Sequence, residues 1–196
     1  VTNTPVHEVS IAVAEHTFAL MLGLSRRVVE ADVYAKGEKY QGWDPLLFTG
    51  TNVYGKTLGI IGLGRIGKAL AEHAVKGFRM RVIYSSPHRE EQFEQELVLN
   101  CHSERSEESR CQWVTFDQLL QQSDFISLHV PLSPETRHMI STEQFALMKK
   151  TAFLINTARG PVVDEKALLR ALKTNRIAGA ALDVYECEPH IDCDIT

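Results

Sequence analysis

The sequence lacks the features that mark several large classes of protein. It has four cysteines among 196 residues and no Cys-x-x-Cys spacing. They are Cys101, Cys111, Cys187 and Cys193. We therefore expect free thiols in a reducing compartment, and neither a disulfide scaffold nor a metal site. The formal net charge is −4, so no broad basic surface favours nucleic acid as a partner.

Long apolar runs are also missing. The most apolar stretch, residues 9–24, is interrupted by Glu15 and His16, and it is shorter than the roughly 20 residues that a bilayer requires. The residues after Val1 show no basic segment, apolar run and small-residue cleavage site in succession. We expect a cytoplasmic protein with no membrane partner.

The first 54 residues differ in pattern from the rest of the chain. Residues 9–24 have almost no polar face, which predicts a helix covered on two sides, at a seam between domains or subunits. A central core helix is the alternative. The pattern becomes amphipathic after residue 25, and Gly37 is a suitable C-cap. Residues 38–54, here called the arm, contain the turn-forming residues Gly42, Pro45, Gly50 and Asn52 and carry an apolar tip at 46–48.

From residue 55 to 196, short apolar strands alternate with helices. This order predicts an α/β domain with a doubly wound, mostly parallel sheet, the Rossmann type. The predicted strands are 58–61, 80–84, 113–116, 125–130, 152–155 and 178–184. The predicted helices run through 69–78, 117–122, 141–149 and 164–173.

One polar segment interrupts this pattern. Residues 100–110 read NCHSERSEESR and contain almost no apolar residue. We expect an insertion that forms a solvated loop or helix extension. A phosphorylation or partner-binding loop is the alternative, and we assign the segment no catalytic role.

The sequence Gly62-Leu63-Gly64-Arg65-Ile66-Gly67 is a Gly-x-Gly-x-x-Gly motif. It follows a predicted strand and opens a predicted helix, the context in which the motif binds a dinucleotide. Gly62 permits the tight turn, Gly64 lets the backbone approach a pyrophosphate, and Gly67 lets the helix pack on the strand. The helix N-terminus would then receive the phosphates.

The residue after the second strand bears on which nicotinamide dinucleotide is bound. An acidic residue there would bind the ribose hydroxyls of NAD, but the sequence has Tyr84-Ser85-Ser86-Pro87-His88-Arg89. Ser86 takes the place of the acid, and His88 and Arg89 are suited to a 2′-phosphate. We therefore expect NAD(P) as cofactor, with NADP(H) slightly favoured or both used. The alternative for Arg89 is a solvated charge.

Several further motifs occur in the same order as in a known family. They are GKTLGIIGLGRIG at 55–67, DF at 124–125, HVPL at 129–132, PET at 134–136, NTARGPVVDE at 156–165 and GAALDVYECEP at 179–189. With them the chain resembles the D-isomer-specific 2-hydroxyacid dehydrogenases. Gly42-Trp43 and Phe48-Thr49-Gly50 in the arm resemble the glyoxylate and hydroxypyruvate reductase branch, which often prefers NADPH.

The resemblance implies roles for individual residues. Arg65 and Ile66 would line the pyrophosphate and Ser86 the adenosine ribose. Thr157 and Asp183 would lie near the nicotinamide, and the other implied cofactor contacts are Val130, Pro131, Ala158 and Arg159.

Arg159 and Glu188 are the implied catalytic residues. Arg159 would bind the carboxylate and carbonyl of a small 2-oxo acid, for which its planar guanidinium is suited. Glu188 would pair with a catalytic His and raise its pKa. Both residues follow predicted strands at their carboxyl ends, where doubly wound folds bind ligands.

The family's acid–base His follows this Glu further along, in a Pro-His motif that the sequence up to Thr196 does not contain. His190 lies outside that context, and His129 is interpreted as a wall of the site. We therefore expect a cofactor domain that is truncated at both ends relative to the family and lacks its substrate half.

Two functional hypotheses follow. The first is the NAD(P)-binding domain of an oxidoreductase that transfers hydride between the cofactor and a small 2-hydroxy or 2-oxo acid of the glyoxylate or hydroxypyruvate class. The second is a non-catalytic NAD(P)-binding fragment or redox-sensing interaction module. A dehydrogenase acting on another substrate, such as formate, is disfavoured by the arm.

A homodimer is the predicted assembly. The helix at 9–24 and the arm resemble elements that form dimer contacts in the family, and the apolar tip at 46–48 requires cover. Residues 1–54 are therefore interpreted as a linker helix and dimerisation arm packed on the cofactor domain.

Overall fold

The computed structural model describes residues 7–99 and 111–189. The polar insertion, Cys101, Cys193 and His190 lie outside the described residues. The elements are α1 His7–Ser25, α2 Val28–Lys36, β1 Thr57–Ile61, α3 Arg65–Phe78, β2 Arg81–Ser85, α4 Glu91–Leu99, β3 Cys111–Trp113, α5 Phe116–Gln122, β4 Phe125–Leu128, α6 Thr142–Leu147, β5 Phe153–Asn156, a short 3-10 turn Gly160–Val162, α7 Glu165–Lys173 and β6 Gly179–Leu182.

The six strands form one parallel sheet in the order β3-β2-β1-β4-β5-β6. This is the strand order of the dinucleotide-binding fold, in which two βαβ halves meet between β1 and β4. The predicted doubly wound α/β fold is confirmed. The strands are short and apolar because helices cover both faces of the sheet.

Each face of the sheet has its own apolar core. On one face, α1, α3 and α4 pack against side chains such as Leu58, Ile60 and Val82. On the other face, α5, α6 and α7 pack against side chains such as Ile126 and Leu154. The sheet is therefore held from both sides, which leaves its carboxyl edge as the place where loops converge.

The structure differs from the sequence-based prediction at several points. Strand β4 ends at Leu128 and not at residue 130, and β6 spans Gly179–Leu182 and not 178–184. Helix α6 spans Thr142–Leu147 and not 141–149, because Met148 is already extended.

The larger differences concern α1, β3 and α4. The helix expected to continue from residue 24 to Gly37 is broken, because Arg27 adopts a left-handed conformation with φ 55° between α1 and α2. The third strand ends at Trp113 and not at Phe116, because Thr115 caps α5 by accepting a hydrogen bond from Gln118 N. Helix α4 was not predicted.

The arm and α2 leave apolar side chains in solvent. No residue of α2 is buried, and Val29 and Val33 are 72% and 63% exposed. In the arm, Trp43 and Leu46 are 84% and 78% exposed. Phe48 at the tip is instead half-buried and packs under the Arg27 guanidinium, which lies 5.1 Å from the ring centroid.

Candidate functional site

The parallel register aligns the ends of five strands. Ser85 of β2, Ile61 of β1, Leu128 of β4, Asn156 of β5 and Leu182 of β6 are paired in one row across the sheet. The residues that follow them therefore lie next to one another at the carboxyl edge. These are Ser86, Gly62, His129, Thr157 and Asp183. Ser86 and His129 thus lie on either side of the glycine motif, and Thr157 and Asp183 lie further along the same edge.

The glycine motif has the shape that the sequence predicts. Gly62 has φ +94°, and a Cβ there would lie 2.9 Å from the His129 carbonyl oxygen and 3.0 Å from the Val130 side chain. At Gly67 a Cβ would lie 2.5 Å from the Gly62 carbonyl oxygen. A Cβ at Gly64 would meet nothing within 4 Å. The turn is therefore tight where chain packs on chain and open where a phosphate would approach.

Helix α3 begins directly after this opening. Gly64 is its N-cap residue and has no side chain to satisfy the first amide groups of the helix. Arg65 is exposed and Ile66 is partly buried at the same end. An anion at this position would receive free N–H groups and the positive end of the helix dipole, so the residues present fit a dinucleotide pyrophosphate.

The loop after β2 is held by internal contacts. Ser86 donates its hydroxyl proton to the His88 carbonyl oxygen, and Trp113 Nε1 donates to the Ser86 carbonyl oxygen at 3.1 Å. Arg89 does not extend freely into solvent. Its guanidinium binds both carboxylate oxygens of Glu94, at 2.8–3.3 Å.

Glu94 is a buried acid that the sequence analysis missed. It is 6% exposed and accepts hydrogen bonds from Tyr84 Oη at 2.7 Å and from Trp113 N at 3.2 Å. Burial favours the neutral acid, but hydrogen bonds from Arg89 and Tyr84 outweigh it and lower the pKa of Glu94. The signal in the sequence was Phe93 and Leu97, whose spacing of four marks a helix face that packs on the core.

His129 lies at the junction between the two halves of the sheet. Its Nε2 is 2.8 Å from Ser127 Oγ, and burial lowers the pKa of the imidazole to about 4. A neutral imidazole is a poor proton donor at physiological pH, which agrees with its interpretation as a wall residue. Val130 and Pro131 continue this wall, Val130 partly buried and Pro131 exposed.

The turn that carries Arg159 is built by one buried amide. Asn156 is 1% exposed, and its Oδ1 accepts from Ala158 N while its Nδ2 donates to the Arg159 carbonyl oxygen, both at 3.0 Å. The Arg159 side chain is exposed, and among the described residues it donates only to the Ala158 carbonyl oxygen. Asn156 thus fixes the backbone and leaves most of the guanidinium donors open to a carboxylate.

Two residues of α1 reach the same edge and were also missed. His16 Nε2 lies 3.2 Å from Asp183 Oδ1, and Thr17 Oγ1 lies 3.0 Å from Thr157 Oγ1. The predicted nicotinamide residues Thr157 and Asp183 are thus both in contact with α1. No local sequence signal connects Thr17 with a residue 140 positions later.

Glu188 follows β6 in an exposed turn. Its Oε1 accepts a hydrogen bond from Tyr185 N at 2.7 Å. Within residues 7–99 and 111–189, no hydrogen bond or ion pair joins Glu188 to a His or to Arg159. The structure therefore does not bring the two predicted catalytic residues into direct contact.

Two features are absent from the described part of the chain. No helix there combines the length and the apolar character needed to cross a bilayer. No group of three or more His, Cys, Asp or Glu residues among the described positions is arranged to hold a metal ion.

Comparisons with known proteins agree with this geometry. The family model described as "D-isomer specific 2-hydroxyacid dehydrogenase, NAD binding domain" matches residues 18–194. A glyoxylate reductase of Korarchaeum cryptofilum (strain OPF8) is 50% identical over 190 residues, covering 96% of this chain and 53% of that protein.

Solved structures show the same relationship. A glyoxylate reductase from Paecilomyes thermophila has a TM-score of 0.82 and 35% identity, covering 98% of this chain and 53% of that one. A D-lactate dehydrogenase from Aquifex aeolicus, complexed with NAD and lactic acid, has a TM-score of 0.81 and 33% identity, covering 98% and 56%. The chain spans about half the length of the relatives it matches.

Proposed function

The chain belongs to the D-isomer specific 2-hydroxyacid dehydrogenases and comprises their NAD-binding domain, and we propose from this premise that it binds a nicotinamide dinucleotide for hydride transfer to a small 2-oxo acid of the glyoxylate or hydroxypyruvate class. The observation that carries the proposal is the opening at Gly64, where a Cβ would meet nothing within 4 Å, at the N-terminus of α3. Beside this opening, the carboxyl edge of the sheet carries the residues that follow β1, β2, β4, β5 and β6 in one row.

The dinucleotide supplies the hydride, and the chain's own residues bind and orient the reactants. Arg159, on the turn fixed by Asn156, holds the carboxylate and polarises the carbonyl of the 2-oxo acid. Glu188 orients an imidazole and stabilises its cation, so that the imidazole delivers a proton to the carbonyl oxygen. The proton donor is not among the described hydrogen-bond partners of Glu188.

Binding is tested first, by fluorescence titration of the chain with NADH and NADPH. We expect saturable binding that Gly64→Asp weakens at least tenfold, because the carboxylate would occupy the opening and repel the pyrophosphate. Gly77→Asp is the matched control, since Gly77 also has open space around a Cβ but lies at the other end of α3. Absence of binding by the folded wild type, or equal loss in both variants, would contradict the proposal.

The role of Arg159 is tested by adding glyoxylate to the chain saturated with NADH. We expect a saturable change in nicotinamide fluorescence that is lost in Arg159→Ala and kept in Arg170→Ala, an exposed arginine on α7. An unchanged response in Arg159→Ala would remove it from the substrate site. Steady turnover by this chain alone would show that its proton donor is one of its own residues.

We further propose that both NADH and NADPH are accepted, with NADPH favoured. The row at the sheet edge places Ser86, and no acid, beside the glycine loop, so a 2′-phosphate meets no fixed negative charge in this loop position. The ion pair of Arg89 with Glu94 reduces the positive charge available to that phosphate. We therefore expect a small preference, below about tenfold, when the two titrations are compared.

The chain is also proposed to form a homodimer in the cytoplasm, with residues 1–54 as linker helix and dimerisation arm. Exposed apolar side chains are concentrated on α2 and the arm, where Trp43 and Leu46 are 84% and 78% exposed. We expect a dimer by light scattering at micromolar concentration and a monomer for the double variant Trp43→Ser/Leu46→Ser. Leu132→Ser is the control, because Leu132 is 44% exposed outside the arm.

A further inference from the structure

One histidine connects the turn that carries Arg159 with the turn that carries Glu188. The His138 backbone N–H donates to the Pro161 carbonyl oxygen at 2.8 Å, and Pro161 lies two residues after Arg159. The His138 side chain meets Glu186 Oε1 at 2.6 Å through Nε2, and Glu186 lies two residues before Glu188. An ionised carboxylate only accepts hydrogen bonds, so the imidazole is the donor in this contact.

The backbone at His138 is held by the Arg159 turn. Its φ is +51°, a left-handed conformation that residues other than glycine adopt where packing or hydrogen bonds impose it. The chain after it is bound to the same turn, because Ile140 N donates to the Val162 carbonyl oxygen and Asp164 N donates to the Ile140 carbonyl oxygen. The imidazole therefore extends from a backbone whose position the Arg159 turn determines.

Glu186 fixes the second turn through its backbone as well as its side chain. Its N–H donates to Glu165 Oε1 at the start of α7, and its side chain is 19% exposed. The preceding residue, Tyr185, lies against Gly160 of the first turn, where a Cβ would collide with the Tyr185 carbonyl group. The backbones of the two turns thus touch, and the Glu186 side chain holds them together.

Two basic side chains donate to Glu186 among the described residues, and they differ in strength. Arg137 Nη2 lies 3.4 Å from Glu186 Oε1 and its side chain is 55% exposed, so this ion pair contributes little. His138 donates over the shorter distance and from a fixed backbone. His138 is therefore the residue that determines where Glu186 lies.

We propose that His138 and Glu186 are positioning residues, which hold the two turns in one placement relative to each other. Arg159 and Glu188 then face the same substrate, although the structure shows no direct contact between them. This role depends on the binding of a small 2-oxo acid by Arg159 that is proposed above. Without the pair, the second turn moves away from Gly160, and the backbone that carries Arg159 loses its support on that side.

The test measures two dissociation constants by fluorescence titration of the 196-residue chain. One is for NADH, and the other is for glyoxylate added to the chain saturated with NADH. In Glu186→Ala and in His138→Ala we expect the constant for glyoxylate to rise about fivefold, because the hydrogen bond that joins the turns is lost. The constant for NADH should stay the same, since the glycine motif at 62–67 lies outside both turns.

Conservative variants separate positioning from a general loss of structure. Glu186→Gln keeps an acceptor for the imidazole and His138→Gln keeps an N–H donor, so both should retain the wild-type constants. In a Glu186→Ala background, His138→Ala should have no further effect, because the two residues act as one pair. Glu72→Ala is the matched control, since it removes an ion pair with Lys76 on α3 and should change neither constant.

The outcomes distinguish this role from the proposed substrate site. A rise in both alanine variants that is absent from both glutamine variants, with NADH binding unchanged, supports the positioning role. An unchanged glyoxylate constant in the alanine variants, an equal weakening of NADH, or an equal rise in the glutamine variants overturns it. A folded wild type without a glyoxylate response, or a response that Arg159→Ala keeps, overturns the substrate site and, with it, the role of the pair.

Discussion

Arg89 in one half of the sheet and Arg159 in the other differ in how their charges are held. In the half formed by β1, β2 and β3, Arg89 is paired with the buried carboxylate of Glu94. In the half formed by β4, β5 and β6, Arg159 and Glu188 are exposed, and their hydrogen bonds within the described residues go only to nearby backbone groups. Both halves have the same βαβ construction, so the difference lies in the side chains at the strand ends.

The comparison shows which of these charged groups helps to fix the conformation of the chain around it. A buried carboxylate is stable only when its hydrogen bonds are satisfied, so the Glu94 network fixes the conformation of the loop after β2. Exposed charges at Arg159 and Glu188 cost little and impose little on their surroundings. The first half therefore holds a set shape, whereas Arg159 and Glu188 in the second half remain open to the substrate and the proton donor proposed above.

The largest expected effect is a difference in stability between two variants, each of which removes one glutamate from one half of the sheet. Glu94→Ala leaves Tyr84 Oη and Trp113 N without their acceptor, so we expect it to lower the free energy of unfolding by about 3–4 kcal/mol. Glu188→Ala removes an exposed carboxylate and should cost less than about 0.5 kcal/mol. Urea unfolding measures both, and equal losses would mean that the two halves do not differ in this way.

The second prediction concerns pH and the junction of the halves. Burial lowers the pKa of His129 to about 4, so between its ordinary value near 6.5 and pH 4 the unfolded chain binds the extra proton. Stability is therefore full above pH 6.5 and falls as the pH decreases, by up to about 3 kcal/mol from this group. His129→Gln should flatten this part of the profile in urea unfolding at pH 4–7. A slope that is unchanged in the variant would place the titrating group elsewhere.

A smaller effect is expected at the turn that carries Arg159. Asn156→Ala removes two hydrogen bonds inside the second half, and we expect a loss of about 2 kcal/mol in urea unfolding. The glyoxylate response should weaken with it, because Arg159 loses its fixed backbone. Asn52→Ala is the control, since Asn52 is exposed and its side chain meets Arg26 at 3.3 Å. Equal stability of the two variants would show that the turn keeps its conformation without the Asn156 side chain.

The smallest expected effect follows from a variant that leaves Arg89 in the first half without a paired carboxylate, as Arg159 is in the second half. Glu94→Gln keeps acceptors for Tyr84 and Trp113 but removes the negative charge opposite Arg89. We expect the preference for NADPH over NADH to increase about fivefold, which corresponds to about 1 kcal/mol. The double variant Glu94→Gln/Arg89→Gln should lose this gain. A gain that persists in the double variant would assign it to another cation.

The features predictable from the sequence were those encoded over a few residues. The apolar strands and the glycine motif specify their own conformation. At position 62, for example, glycine is the residue type that tolerates φ +94° so close to the His129 backbone. Helix α4 was missed because five of its nine residues are Glu or Gln, so the segment resembles a solvated face although Glu94 is buried.

The long-range contacts could not be predicted in the same way. Thr17 meets Thr157 because α1 packs on the sheet, and Arg27, where the helix breaks, lies over the Phe48 ring of the arm. Tertiary contacts of this kind have no local periodicity. The site residues that α1 adds therefore became visible only in the folded chain.

The short strands at the two edges of the sheet bear on how copies of the chain avoid aggregation. Within the described residues the strands at the two edges, β3 and β6, contain three and four residues, so each offers few unpaired backbone groups to a strand of another molecule. Amyloid-like assemblies grow when strands of further molecules pair with such an edge, and these short edge strands provide little surface for that pairing. Contact between copies is left to side chains, which favours a closed and specific association over an open-ended one.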